Sequence, residues 1–273
     1  MDSSELTFYI VPSWKCNLNC SHCTVKNKPY SFNKEVFFKT MLSQKHKYPE
    51  ANFILHGGEP TLNKKLFIEI LDTDVITSIT TNLIFTDKQI IDEINKHDLS
   101  VATSWNPNRF SSNELFKIWL NNLKLLKKSP LLLITLDKDV VKMNPEHLIE
   151  IIKSFENIDS ILFECLIDND LNDDFQNTVD DWLCKLDEEW TIQNLMIKNL
   201  IKEQILNWNF NCNTKTILPN GTIQEKCVFA ENYKPHVLKR CLTCMYNKNC
   251  IPCKLHTRCS FFPKFYERVR NEK

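Results

Sequence analysis

Roughly the first 190 residues of this 273-residue chain repeat one pattern: a short apolar run, then a segment with apolar residues at helical spacing. The runs lie at residues 6–11, 52–56, 75–80, 99–104, 131–136 and 160–166. Each is rich in Val, Ile, Leu or Phe, as strands covered on both faces are. Helical spacing follows at 34–43, 64–71 and 173–186, and in three segments that carry a start signal. Thr86-x-x-Gln89 and Ser111-x-x-Glu114 read as capping boxes, and Asn144-Pro145-Glu146 puts Pro in a first helical turn. Repetition of strand and helix predicts parallel strands joined by crossovers, here three-quarters of a (β/α)8 barrel. The expected fold is α/β, a partial (β/α)6 TIM-type barrel over residues 1–204, with its chemistry in the loops after the strands.

Beyond residue 205 the pattern changes. Residues 216–223 read as a hairpin with Asn220-Gly221 at the turn, and a Cys-dense, loop-rich stretch follows. Residues 205–273 are expected to form a small second domain closed by a C-terminal helix.

Two counts narrow the function. The chain has 12 Cys and 3 Gly, where average usage would give roughly 19 Gly. A Gly kept in so Gly-poor a sequence marks a place where no other residue fits. The first residues are acidic and lack an apolar signal core, and no apolar run approaches the ~18 residues of a membrane span. A soluble, cytoplasmic protein is the expectation, and in a reducing compartment 12 Cys point to metal binding or chemistry before disulfides. A net charge of zero gives no overall basic field, so neither nucleic acid nor a membrane is expected as partner. The charge is uneven all the same: residues 226–273 carry 11 Lys and Arg against 3 Asp and Glu. Either this tail binds an anionic peptide or the acidic barrel, or it ends in a solvated helix bearing Lys264, Arg268 and Arg270.

Cys16-x3-Cys20-x2-Cys23 falls in the loop after the first strand. Three closely spaced thiolates hold three irons of a [4Fe–4S] cube and leave the fourth open. They also fit a zinc loop with a distant fourth ligand. After the second strand comes His56-Gly57-Gly58-Glu59-Pro60, which holds two of the three Gly. Paired Gly let backbone approach a ligand and take positive φ, and Glu59 offers a carboxylate to an ammonium. A simple turn explains one Gly but not a pair followed by Glu-Pro. Thr80-Thr81-Asn82 follows the third strand and Thr103-Ser104-Trp105-Asn106 ends the fourth. Singly each polar residue reads as a cap or turn. Together, four polar motifs after four successive strands define one rim.

The Cys-x3-Cys-x2-Cys loop, with His22 before its last Cys, and the Gly-Gly-Glu-Pro segment resemble the radical S-adenosylmethionine (radical SAM) superfamily. The resemblance implies a [4Fe–4S] cluster on Cys16, Cys20 and Cys23 whose open iron is chelated by S-adenosyl-L-methionine. One electron then cleaves that cofactor to a 5′-deoxyadenosyl radical, which abstracts a substrate hydrogen. It further implies cofactor contacts from His22, Gly57, Gly58, Glu59 and Pro60, with Asn82 and Ser104 toward the ribose and carboxylate.

The tail, Cys212-x14-Cys227 then Cys241-x2-Cys244-x5-Cys250-x2-Cys253-x5-Cys259, resembles the SPASM extension of the same superfamily. That implies two auxiliary [4Fe–4S] clusters, one on Cys212, Cys227 and Cys253 and one on Cys241, Cys244, Cys250 and Cys259, three clusters in all. Read without the N-terminal motifs, the same spacing suits a pair of zinc knuckles and a non-catalytic binding module. Cys165 and Cys184 are left over: Cys184 reads as a small core residue, and so does Cys165 before it reads as a thiol facing substrate or a cluster, with its neighbour Glu164 as a second candidate for substrate contact. The reading is an oxidoreductase acting on a ribosomally made peptide by oxidation or crosslinking. Its alternative is dehydrogenation of a small molecule, a sugar or aminocyclitol alcohol. Implied partners are an electron donor such as flavodoxin or ferredoxin and, for a peptide, a separate leader-peptide-binding protein.

Overall fold

The computed structural model describes residues 6–20, 23, 31–165, 173–193, 198–199, 214–225, 264–265 and 267–268. The chain forms two compact units. The first comprises residues 1–103, 110–130 and 212–233, and the second residues 104–109, 131–211 and 234–273.

In the first unit β1 (Thr7–Ile10), β2 (Asn52–Leu55), β3 (Ser78–Thr80) and the start of β4 (Ser100–Trp105, of which 104–105 fall to the second unit) pair in parallel in chain order. Three helices join them, α1 (Lys34–Lys47), α2 (Lys64–Leu71) and α3 (Lys88–Lys96), and α4 (Asn113–Leu125) follows β4. Phe8, Ile10, Phe53 and Leu55 are fully buried on the sheet, Phe37, Phe67 and Trp119 on the helices. Each such side chain contributes about 1.5–3 kcal/mol through lost apolar surface. Phe8 and Phe53 stack on adjacent strands with ring centroids 4.9 Å apart.

The helix start signals hold, with two shifts of one residue. Asn33 caps α1 and Asn63 caps α2. The α3 cap is Asp87 instead of Thr86, its carboxylate accepting from Gln89 N. The α4 cap is Ser112 instead of Ser111, its hydroxyl accepting from Leu115 N. In each case the capping residue is the one whose oxygen reaches an orphan N–H two or three positions on.

The hairpin expected at 216–223 is present and does more than turn. Its first strand, β8 (Thr214–Ile217), runs parallel to β1, and β9 (Ile223–Gln224) pairs with it in antiparallel fashion. Gly221 takes φ +80°, and a Cβ there would stand 2.6 Å from Val36 Cγ1 of α1. The hairpin tip is thereby pressed onto the start of α1, and Asn33 N donates to Pro219 O over 3.1 Å.

In the second unit β5 (Leu131–Leu136), β6 (Ser160–Cys165) and β7 (Lys198–Asn199) are parallel. They are accompanied by α5 (Lys138–Lys142), α6 (Pro145–Lys153) and α7 (Asp173–Ile192). Asn144 caps α6 with Pro145 in its first turn, as read from sequence. The C-terminal helical residues are held by α7. Asp180 caps them through Lys264 N (3.0 Å) and Phe265 N (2.9 Å), Phe265 is buried, and Arg268 pairs with Asp187 (3.0 Å) and Glu188 (2.8 Å). The basic tail therefore meets acids of its own chain here. Among the described residues no helix is long and apolar enough to cross a membrane.

Candidate functional site

The loop after β1 carries the cysteines, and the loop after β2 is laid directly against it. His56 N donates to Ile10 O (2.9 Å), Gly58 N to Ser13 O (3.0 Å) and Glu59 N to Lys15 O (2.8 Å), tying the two loops together past the strands. This contact explains the glycine pair. Gly57 has φ +141°, and a Cβ on it would sit 2.3 Å from Ser13 O. A Cβ on Gly58 would sit 2.2 Å from Lys15 O and 2.5 Å from Trp14 O. The close approach required of these glycines is thus to the backbone that leads into Cys16.

Glu59 is 2% exposed and gathers four donors. Its Oε1 accepts from Thr61 N (3.1 Å), Thr61 Oγ1 (2.7 Å) and Thr81 Oγ1 (2.9 Å), and its Oε2 from Asn82 N (2.7 Å). Burial pushes its carboxyl up, and these four hydrogen bonds pull the other way by favouring the anion. The same carboxylate caps the short 3-10 turn Pro60–Leu62. Next to it, burial drives His56 down to about 4, so the ring is neutral at pH 7, with Nδ1 accepting from Gly57 N (2.6 Å).

Cys16, Cys20 and Cys23 are all free thiols. Cys16 is exposed at its surface, yet protein packed on one side raises its thiol pKa, the N–H of Leu18 (3.4 Å) opposes that rise, and Glu59, Cys20 and Cys23 add to it. Three thiols on one loop, close enough to act on one another's charge, are a donor set that fits an iron–sulfur cluster. Asn82, 5% exposed, turns its side chain to the same loop: Nδ2 donates to Asn17 Oδ1 (2.6 Å) and lies 3.8 Å from Cys16 Sγ. The structure thus brings together Cys16, Glu59 and Asn82, with Gly57, Gly58 and Pro60 as their support. Asn17 and Thr61 belong to the same network and were not singled out from sequence. The available signal was position, since Asn17 follows Cys16 and Thr61 lies two residues past Glu59.

Ser104 and Glu164 belong to the second unit. Ser104 Oγ accepts from Arg109 Nη1. Beside it in sequence, Asn106 bonds both backbone groups of Thr135, donating to its O (2.9 Å) and accepting from its N (3.3 Å). Burial pushes Glu164 up to about 7. Cys184 is half-buried on α7, and burial raises its thiol to about 11, as befits an inert packing residue. His22, the side chain of Cys165, and Cys212, Cys227, Cys241, Cys244, Cys250, Cys253 and Cys259 lie outside the described residues.

Residues 10–136 match the family model of the Radical SAM superfamily. The α/β fold with its parallel strands is the kind typical of the radical SAM partial barrel. Among solved structures the chain resembles native anSMEcpe with bound AdoMet, with a TM-score of 0.71 and 16% identity over 98% of this chain and 98% of that one. It also resembles Streptococcus suis SuiB bound to S-adenosylmethionine, with a TM-score of 0.59 and 17% identity over 91% of this chain and 72% of that one. For SuiB bound to its precursor peptide SuiA the TM-score is 0.58, at 16% identity over 97% of this chain and 66% of that one. At these identities the likeness is one of fold. No curated protein matches the sequence.

Proposed function

We propose that the protein is a radical SAM enzyme with a SPASM-type tail that oxidises or crosslinks a ribosomally made peptide. The observation that carries this reading is the joining of the backbone leading into Cys16 to the Gly57-Gly58-Glu59-Pro60 loop by backbone hydrogen bonds. Cys16, Cys20 and Cys23 hold a [4Fe–4S] cluster, and S-adenosylmethionine binds beside it. When bound, and given one electron from a donor such as flavodoxin or ferredoxin, these groups would supply methionine and a 5′-deoxyadenosyl radical able to take a hydrogen from the substrate.

The chain's own residues provide the cradle. Gly57 and Gly58 hold the backbone of Ser13, Trp14 and Lys15, which leads into Cys16, at close contact. Glu59 is held in place near the thiols by its four donors, offering a carboxyl group to an ammonium. His56, neutral at pH 7, adds no competing positive charge. Ser104 is assigned to cofactor contact, and Glu164 and Cys165 to the substrate side. The seven tail Cys hold two auxiliary clusters. The peptide is favoured because SuiB, of similar fold, is seen with its precursor peptide.

The test is replacement of Cys16, Cys20 and Cys23 together by Ala. Anaerobically reconstituted wild-type protein should hold about 12 iron, and the variant should lose about one third of it along with all 5′-deoxyadenosine formation. Retained cofactor cleavage overturns the reading. A candidate peptide produced with the enzyme should lose a pair of hydrogens by mass spectrometry. An unchanged peptide turns the assignment toward a small-molecule alcohol.

A further inference from the structure

Asn82 stands at the centre of a closed set of hydrogen bonds. Its backbone N–H donates to Glu59 Oε2 (2.7 Å), and its Oδ1 accepts from Ile84 N (2.8 Å). Its Nδ2 donates to Asn17 Oδ1 (2.6 Å) and lies 3.8 Å from Cys16 Sγ. Asn17 Nδ2 in turn donates to Ile84 O (2.8 Å). Each amide fixes the other: because Asn17 Nδ2 is spent on Ile84 O, its Oδ1 must face Asn82, and so Asn82 presents its NH2 to the cysteine loop. The turn bearing Asn82 is held from behind. Leu83 adopts φ +56°, and the buried Asn122 donates to Leu83 O (2.9 Å) and Phe85 O (2.7 Å).

We infer that Asn82 is a positioning residue that couples Glu59 to the sulfur of Cys16 and tunes the cluster held there. The inference rests on the reading of Cys16 as an iron ligand. Cys16 Sγ has two N–H donors in reach, Leu18 N (3.4 Å) and Asn82 Nδ2. Donors to a ligand sulfur draw electron density from it and make the cluster easier to reduce. The Asn82 donor is also tied through one peptide to the Glu59 carboxylate. Anything that shifts Glu59 therefore shifts a donor to the Cys16 sulfur. Asn82 accordingly serves the cluster loop, a role apart from the ribose and carboxylate contact implied by resemblance.

The experiment is a redox titration of the reconstituted full-length protein, followed by EPR on the signal that responds to S-adenosylmethionine. Asn82→Ala should lower the potential of that signal by about tenfold in the reduction equilibrium, which is about 59 mV for one electron. Wild-type protein labelled with 15N in its asparagine side-chain amides should show a 15N coupling to the same signal, lost in Asn82→Ala. A variant with full iron and the wild-type potential overturns the inference. If the variant cannot hold iron, the labelled wild type decides, and absence of a coupled 15N overturns it. Iron content separates this failure from failure of the functional reading. Iron unaffected by loss of Cys16, Cys20 and Cys23 removes the cluster, and with it the inference. Wild-type iron dependence with no coupling removes the inference alone.

Discussion

Glu59 and Glu164 are both carboxyls that burial pushes up, and their surroundings treat them differently. Around Glu59 the loops after β2 and β3 supply four donors, two from Thr61 and one each from Thr81 and Asn82. Around Glu164 burial is the dominant influence, and the carboxyl rises to about 7. A buried carboxyl that comes with its donors becomes a joint between loops. Where burial prevails, a carboxyl keeps its proton at higher pH. The first arrangement suits a rigid cradle, and the second suits a group that gives or takes a proton near neutrality.

The comparison breaks most severely at Gly58. Its Cβ would collide with the carbonyl oxygens of Trp14 and Lys15, which are backbone atoms that cannot rotate away. Gly58→Ala should cost about 3 kcal/mol or more by urea denaturation, since overpacking against fixed atoms is not relieved by a rotamer change. A loss under about 1 kcal/mol would show that the two loops are not locked together.

Glu59→Gln tests the hub itself. The amide retains one acceptor for the threonines but turns an NH2 toward Asn82 N, leaving a buried donor unmet. A loss of about 2–3 kcal/mol is expected at pH 7. A neutral result would show that charge is not what joins the loops.

Glu164→Gln gives the smallest effect, and one that depends on pH. The folded-state value near 7 lies above the ordinary 4.5. Between 4.5 and 7 the folded state holds a proton that the unfolded state has lost. Its contribution is fully present below 4.5 and is lost as pH rises through 7, above which the buried anion is a cost. The variant should therefore be about 1–2 kcal/mol more stable than wild type at pH 8, a figure reduced for the partial exposure of the group, and nearly equal to it at pH 5. Equal differences at both pH values would show that Glu164 titrates normally.

Much of the fold was legible because it rests on local patterns. Five of the six apolar runs became strands within about two residues of their expected ends. The run at 75–80 shortened to Ser78–Thr80 because Asp74 takes φ +54° and Thr77 Oγ1 accepts from Phe53 N and donates to Phe53 O. The short α5 was not foreseen, although Asp137 caps it through Asp139 N and Val140 N. The sequence pattern points to Thr86 and Ser111 as caps, where the structure uses Asp87 and Ser112. Neighbouring residues of equal capping chemistry can be told apart only by which oxygen reaches the orphan N–H.

Of the candidate site, the sequence identified Cys16, Cys20, Cys23, the paired glycines, Glu59 and Asn82, because scarce residue types at short spacing are visible without coordinates. It also located the hairpin turn at Asn220-Gly221. The partnerships were decided by tertiary structure. That the glycines face the backbone of Ser13 and Lys15, that Asn17 orients Asn82, and that β8 runs beside β1 are contacts between residues tens to hundreds of positions apart. No periodicity records such contacts, because close packing and hydrogen-bond geometry choose among partners that local sequence leaves equivalent.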